Sequence, residues 1–146
     1  MINEILNDFI KIYNYIIDKK LTNAEGVPNH DIFQDLLYKL ATKYNLECKK
    51  EYSGVLWYNK EKKAWRRGRI DIVYFKDGEP YLSLEIDSKL KGHNIKKLKA
   101  NKQFKYKVWY CYNSRVNTKE YYDLLDKIDP EKDIIYITKD DKEIIV

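Results

Sequence analysis

Two β-forming runs joined by an Asp-Gly turn constrain the fold of this chain more than any other feature. "WRRGRIDIVYF" and "YLSLEID" are rich in β-branched and aromatic residues, and the segment between them centres on Asp77-Gly78. Asp-Gly between apolar runs favours a tight hairpin, because both residues tolerate positive φ angles. "EYSGVLWYNK" supplies an earlier strand across the polar segment "NKEKKA". The sequence therefore predicts a three-stranded antiparallel meander.

Helical periodicity flanks this meander on both sides. Apolar residues at helical spacing predict helices over residues 2–19 and 31–44, the second with Asp31 as N-cap and Gln34 at N3. Downstream, "NIKKLKANKQF" predicts a Lys-rich helix and "KYKVWYCY" a strand. Residues 118–128 predict a helix with a capping pair at Asn117 and Glu120, and "DIIYIT" predicts a last strand. This order predicts an α/β (α+β) fold, a central mixed sheet flanked by helices.

The length of 146 residues fits one domain spanning 1–146. We divide it into an N-terminal helix and connector (1–28), a core (29–112) and a C-terminal helix and strand (113–146). No apolar run approaches the roughly 20 residues of a membrane span, and the first residues lack secretory-signal features. Cys48 and Cys111 are too few for a disulfide framework. We expect a cytoplasmic protein without membrane contact and with reduced thiols.

Carboxylates interrupt the two apolar strands. Because side chains alternate along a strand, Asp71 should face away from Ile70 and Ile72, while Glu85 and Asp87 share one face of the next strand. Hairpin pairing would bring Asp71 beside Glu85 or Asp87, where like charges repel. A hard cation such as Mg²⁺ would offset that repulsion. Alternation alone favours the other interpretation, an exposed sheet face on which these acids form ion pairs with Arg66, Arg67, Arg69 or Lys89.

The order of these elements resembles that of the PD-(D/E)XK nuclease superfamily, whose fold is restriction-endonuclease-like. The resemblance covers residues 30–112: an aspartate early in one strand, a hairpin, Glu85-Ile86-Asp87 late in the next strand, then a helix and a strand. It implies a Mg²⁺- or Mn²⁺-dependent DNA endonuclease, with Asp71, Glu85 and the Ile86 carbonyl as metal ligands. Asp87 stands where the motif has lysine. It would hold a second metal, accept a proton from the attacking water, or bind a relocated lysine.

The catalytic lysine is therefore expected elsewhere. Superfamily members with a migrated lysine point to the following helix, which contains Lys96 and Lys97. Lys97 adjoins the apolar Leu98, so its stem would run inward while its ammonium reaches the cleft. We predict Lys97 as the transition-state cation and keep Lys89 as the alternative.

A block of positive charge follows the acids directly. Residues 88–119 hold ten Lys or Arg and no Asp or Glu. Such a block is often only a solvated surface, but beside the acids it suits a phosphate backbone. "WYNKEKKAWRRGR" interleaves aromatic and basic residues and predicts a backbone-binding hairpin with at least one Trp buried. The expected DNA-binding residues are Arg66, Arg67, Arg69, Lys89, Lys96, Lys99 and Lys102.

Three further residues are candidate neighbours of the metal. His30 and Gln34 lie one helical turn apart, where some superfamily members place an acid or His; a pre-helix turn and a cap on Asp31 are their alternative roles. Glu51 would support the cleft, or form a salt bridge with Lys49 or Lys50.

Other functions stay open at this point. The missing motif lysine also fits a catalytically inactive nucleic-acid-binding module, and the sequence does not distinguish DNA from RNA cleavage. A single active site cuts both strands only with two protomers or two visits, so we expect a homodimer.

Overall fold

Five strands form one mixed sheet whose spatial order follows the chain. The computed structural model describes residues 1–26, 28–112 and 119–146, without the side chains of residues 54–57, 59 and 67. The strands are β1 (Glu47–Asn59), β2 (Ala64–Lys76), β3 (Glu79–Asp87), β4 (Tyr106–Cys111) and β5 (Ile135–Thr138). β1, β2 and β3 are antiparallel, as the meander predicted, and β4 and β5 continue in parallel.

Helices cover both faces of this sheet. The helices are α1 (Ile2–Asp18), α2 (His30–Lys43), α3 (Gly92–Ala100) and α4 (Lys119–Ile128). On one face, α1 and α2 pack against the sheet through Phe9, Phe33, Leu37, Ile72 and Leu84. On the other, α3 and α4 pack through Ile95, Leu98, Tyr121, Val73 and Trp109. The predicted α+β class with a flanked mixed sheet is confirmed; the restriction-endonuclease-like assignment stays a prediction.

Strand β3 lies between these two layers and is buried along most of its length. Ser83, Glu85 and Asp87 are as buried as the apolar residues that alternate with them. The alternative of a half-solvated polar face is therefore wrong for β3. The polar face of β3 is buried because α3 and α4, the helices that connect β3 to β4 and β4 to β5, cover it. Alternation within a single strand does not reveal such a cover.

The start of α2 differs from the sequence prediction. Asn29, in extended conformation, is the N-cap, and its side chain accepts a hydrogen bond of 2.7 Å from the backbone N–H of Asp31. Asp31 therefore lies in the first turn rather than at the cap, and Gln34 is not its capping partner. The side chain of Gln34 is instead buried and donates a hydrogen bond to the backbone of β2.

Regular alternation also fails near Asp71. Lys50 and Tyr52 of β1 pair with Ile72 and Ile70 of β2, and Glu51 between them has a φ of 50°. Ile70 joins the core under α3 and α4, whereas Ile72 joins the core under α1 and α2. The expectation that these two isoleucines share a face is thus wrong, and the local departure from regular strand backbone is the left-handed conformation of Glu51.

On the N-terminal side of Asp71, the described residues of β2 pair with β1 but not with β3, so the two strands extend from the sheet as a two-stranded ribbon. Residues 64–70 of β2 have ladder partners in β1 alone among the pairs described. We call residues 52–70 the β1–β2 arm. It carries the aromatic and basic residues singled out in the sequence.

The predicted capping pair of Asn117 and Glu120 lies partly outside the residues that the structure describes. The capping residue Asn117 belongs to an undescribed segment. Both cysteines of the chain are described, and neither forms a disulfide. Within the described ranges, no helix has the length and apolar character needed to cross a membrane.

Candidate active site

Asp71 and Glu85 lie side by side on β2 and β3. The ladder pairs Ile72 with Leu84, which places the two acids at the next opposed positions of an antiparallel pair. Directly opposed side chains of an antiparallel pair have their Cβ atoms about 4.5–5.5 Å apart, so the two acids are neighbours. Asp71 Oδ2 also accepts a hydrogen bond of 2.8 Å from the backbone N–H of Ile86. The predicted neighbourhood of Asp71 and Glu85 is present in the structure.

Two basic side chains, a histidine and a lysine, approach this pair from opposite helix layers. From α2, His30 Nε2 lies 3.3 Å from Asp71 Oδ2. From α3, Lys97 Nζ lies 2.8 Å from Glu85 Oε1 and donates to the carbonyl of Arg69 at 2.7 Å. We call His30, Asp71, Glu85 and Lys97 the carboxylate row. It crosses the sheet from one helix layer to the other.

Burial changes along the carboxylate row. The side chain of Glu85 is 2% exposed, those of Lys97 and Asp71 are 11% and 14%, and that of His30 is 35%. The row therefore opens toward solvent at its His30 end. Although Lys97 is close, it is not aligned for a hydrogen bond, and Glu85 Oε1 has no aligned donor among the described residues. A buried carboxylate oxygen in that state is costly and is suited to a ligand.

The protonation states of the two acids diverge. Burial, with the negative charge of Asp71 beside it, raises the pKa of Glu85 well above its ordinary value, and Lys97 offsets only part of this. Burial would also raise the pKa of Asp71, but hydrogen bonds from His30 and from Ile86 N–H lower it overall. The hydrogen bond to Asp71 raises the pKa of His30 against the opposing effect of burial. Asp71 is thus the ionised partner, and Glu85 retains a proton more readily.

Gln34 and Glu51 form a second layer of contacts. Gln34 Nε2 donates to Glu51 Oε1 and to the carbonyl of Asp71, each at 2.9 Å. Lys49 and Lys50 instead pair with Glu47 and Asp35, so the predicted alternative of a salt bridge from Glu51 to either lysine is wrong. Both candidate neighbours contact Asp71 directly or through one residue.

Asp87 has a different environment. Asn94 Nδ2 donates to both of its carboxylate oxygens at 2.9 Å, and Trp109 Nε1 donates to Oδ2 at 2.7 Å. Lys91 Nζ is 3.8 Å from Oδ1. These contacts tie the end of β3 to α3 and β4 and favour a structural role. The lysine near Asp87 is Lys91; the predicted Lys97 contacts Glu85 instead.

The predicted DNA-binding residues separate into three groups. Lys99 donates to the Ile128 carbonyl and pairs with Asp129 and Glu131, so its charge is locally balanced. The side chain of Arg67 lies outside the described residues. The remaining predicted residues are exposed: Arg66, Arg69, Lys89, Lys96 and Lys102. β3 ends at Asp87, which leaves Lys89 outside the sheet.

The side chains available as ligands limit how a metal ion could be bound at this site. Across residues 1–26, 28–112 and 119–146, no cluster of three or more His, Cys, Asp or Glu side chains is arranged to hold one. Mg²⁺ is commonly bound by only one or two carboxylates, with carbonyl and water oxygens completing the shell. Two adjacent carboxyl groups, one with a buried oxygen lacking an aligned donor, fit that chemistry.

Comparisons with known proteins identify no relative. No protein-family model matches the chain, and neither the curated proteins nor the solved structures contain a match. The geometry of the carboxylate row is therefore the basis for inferring a function.

The sequence predicted His30 as a neighbour of the metal but not its direct contact with Asp71. That contact depends on α2 beginning after Asn29, which places His30 in the first turn of α2 beside β2. One of the three hydrogen bonds of Asp87 comes from Trp109, twenty-two residues later in the chain, and the other two come from Asn94. Trp109 lies in the strand-like "YKVWYCY", and the N–H of a buried indole usually needs a hydrogen-bond acceptor. That requirement was the one sequence signal for a buried acceptor such as Asp87.

The two histidines of the chain provide a direct test of the row in the absence of metal. We expect the NMR titration midpoint of His30 to lie above 6.5 and that of His93 below it, because burial and Lys97 lower the pKa of His93. Asp71→Asn should return His30 toward 6.5 and leave His93 nearly unchanged. A His30 midpoint that is indifferent to Asp71→Asn would contradict the ion pair.

Proposed function

We propose that the protein is a metal-dependent endonuclease that hydrolyses phosphodiester bonds of DNA. The observation that carries this proposal is the pairing of Asp71, which is largely buried, with the fully buried Glu85 on the adjacent strand, with Lys97 at 2.8 Å from the second acid. Stability alone does not account for the pair, since well-packed apolar residues of similar volume are often at least as stable as buried ion pairs. Polar groups kept at such a cost are candidates for a functional site.

Three groups would hold Mg²⁺ or Mn²⁺: the carboxylates of Asp71 and Glu85 and the carbonyl of Ile86. The N–H of Ile86 points to Asp71, and in a regular strand the carbonyl of the same residue leaves on the same side. The bound ion would supply Lewis-acid polarisation of the scissile phosphate and a coordinated water of lowered pKa. Because metal ligands must be deprotonated, Glu85 would release its proton on loading.

The remaining residues of the row have positioning and electrostatic roles. His30 and the N–H of Ile86 keep Asp71 ionised and fix the direction of its carboxylate. The Arg69 carbonyl anchors Lys97, whose ammonium would offset negative charge on the phosphoryl group in the transition state. Gln34 fixes the backbone of β2 at Asp71. Exposed Arg and Lys side chains near the row would bind flanking phosphates.

A catalytically inactive nucleic-acid-binding module of the same fold is the second candidate. The extensive hydrogen bonding of Asp87, at the position where the motif has lysine, favours it. Metal-dependent cleavage by the purified protein separates the two candidates, and cleavage of RNA but not DNA would favour an RNA nuclease instead. A cytoplasmic location and a homodimer stay predictions; sedimentation equilibrium checks the second.

Neutral isosteres of the two acids test the proposed function. Asp71→Asn and Glu85→Gln should each reduce Mg²⁺- or Mn²⁺-dependent cleavage by about 10³-fold or more, because either change removes a charged ligand. Cleavage is measured on supercoiled, linear, branched and single-stranded DNA, with folding checked by circular dichroism. Asp35→Asn, an exposed acid outside the row, is the matched control and should retain activity. Full activity in either row variant would remove that residue from the site.

The role of Lys97 is tested by comparing turnover with metal affinity. Lys97→Ala should lower turnover by about 10² or more while changing Mn²⁺ affinity little, as expected for a group that acts mainly in the transition state. Lys105→Ala, an exposed lysine outside the predicted DNA-binding set, is the control. Normal turnover in Lys97→Ala, with loss in Lys89→Ala, would transfer the role to Lys89.

A further inference from the structure

Two clefts meet on the side of the β1–β2 arm that faces α3. One, of about 690 Å³, lies between the arm, the start of α3 and α4. The other, of about 790 Å³, lies between the arm, the end of α3 and residues 131–133. Tyr58 and Lys96 line both clefts, so they form one continuous surface. We call this surface the arm groove.

The arm groove is strongly basic. Its lining contains eight Lys or Arg side chains and three acidic ones. Lys99 is balanced by Asp129 and Glu131, but Arg66, Lys96 and Lys102 are exposed. A concave surface with this excess of one charge attracts a polyanion.

An exposed aromatic pair stands at the same groove. Tyr58 lies directly opposite Trp65 in the ladder, with ring centroids 5.5 Å apart and planes at 62°. Their exposed fractions are 45% and 66%. In contrast, Trp109 is fully buried in the core. Aromatic faces left in solvent beside cations match the surfaces on which unpaired bases stack.

Helix α3 connects the groove with the carboxylate row. Lys96 is exposed and lines the groove, whereas the next residue, Lys97, is buried against Glu85. Successive residues of one helix point about 100° apart, so α3 presents one lysine to each place. A strand held in the groove would therefore contact the helix that supplies the row with its lysine.

We propose that the arm groove binds an unpaired strand of nucleic acid, with a base stacked on Trp65 and Tyr58 and phosphates on Lys96 and Lys102. A continuous duplex keeps its base faces stacked internally and offers none to Trp65. The inference names the substrate class of the proposed nuclease, single-stranded or branched DNA. The assignment of the bound strand as a substrate rests on the proposed function, whereas the binding itself needs no cleavage.

The test measures binding by fluorescence anisotropy in EDTA, with a labelled oligothymidine and a duplex of equal length. The wild-type protein should bind oligothymidine more tightly than the duplex at the same salt concentration. Trp65→Ala should weaken oligothymidine binding by about 5- to 100-fold, the range that corresponds to one stacked base, and Trp65→Phe should restore most of it. Lys96→Ala should lower the salt slope by about 0.7, the contribution of one phosphate on a single strand.

Two results would overturn the inference: tighter binding of the duplex, or oligothymidine affinity that does not change in Trp65→Ala. Absence of any binding would overturn it as well. Asp71→Asn is carried in parallel and should keep its oligothymidine affinity. Binding through Trp65 without cleavage would leave this inference and remove the nuclease, whereas cleavage with binding indifferent to Trp65 would do the reverse.

Discussion

The structure depends on how the charges of two carboxyl groups, one buried and one largely buried, are compensated. Asp71 and Glu85 lie side by side in a sheet covered on both faces, where an unpaired charge would cost several kcal/mol. The compensation comes from both helix layers: His30 on α2 approaches one acid, and Lys97 on α3 approaches the other. The placement of these helices on the sheet is therefore coupled to the chemistry at its centre.

The negative charge of Asp71 is compensated more fully than that of Glu85, and this difference favours a functional interpretation of the pair. Asp71 is held ionised by donors on two sides, while the pKa of Glu85 is raised and one of its buried oxygens lacks an aligned donor in the described structure. Asp87, two residues further along β3, shows what a structural carboxylate looks like in the same strand, with both oxygens hydrogen-bonded. The contrast separates a group that stabilises the fold from one that a ligand would satisfy better.

Local sequence patterns were sufficient to predict the helices and strands. The geometry of the site instead depends on contacts between residues that are distant in the chain. The Asp77-Gly78 turn and the helical spacing predicted the meander and the helices, and the apolar flank of Lys97 predicted its inward direction. The burial of Glu85 was not predictable from alternation, because it depends on α3 and α4 covering that face. The contacts of His30 and Gln34 with Asp71 were not predictable, because the N-cap is Asn29 rather than Asp31 and because both contacts depend on how α2 packs against β2.

A calorimetric titration with Mn²⁺ tests most directly whether Asp71 and Glu85 form a metal site. The wild-type protein should show saturable binding, with a heat that varies with the ionisation enthalpy of the buffer because Glu85 releases a proton. Asp71→Asn should abolish that binding, and Asp35→Asn should preserve it. The account would be contradicted by the absence of saturable binding in the wild-type protein, or by equal binding in Asp71→Asn.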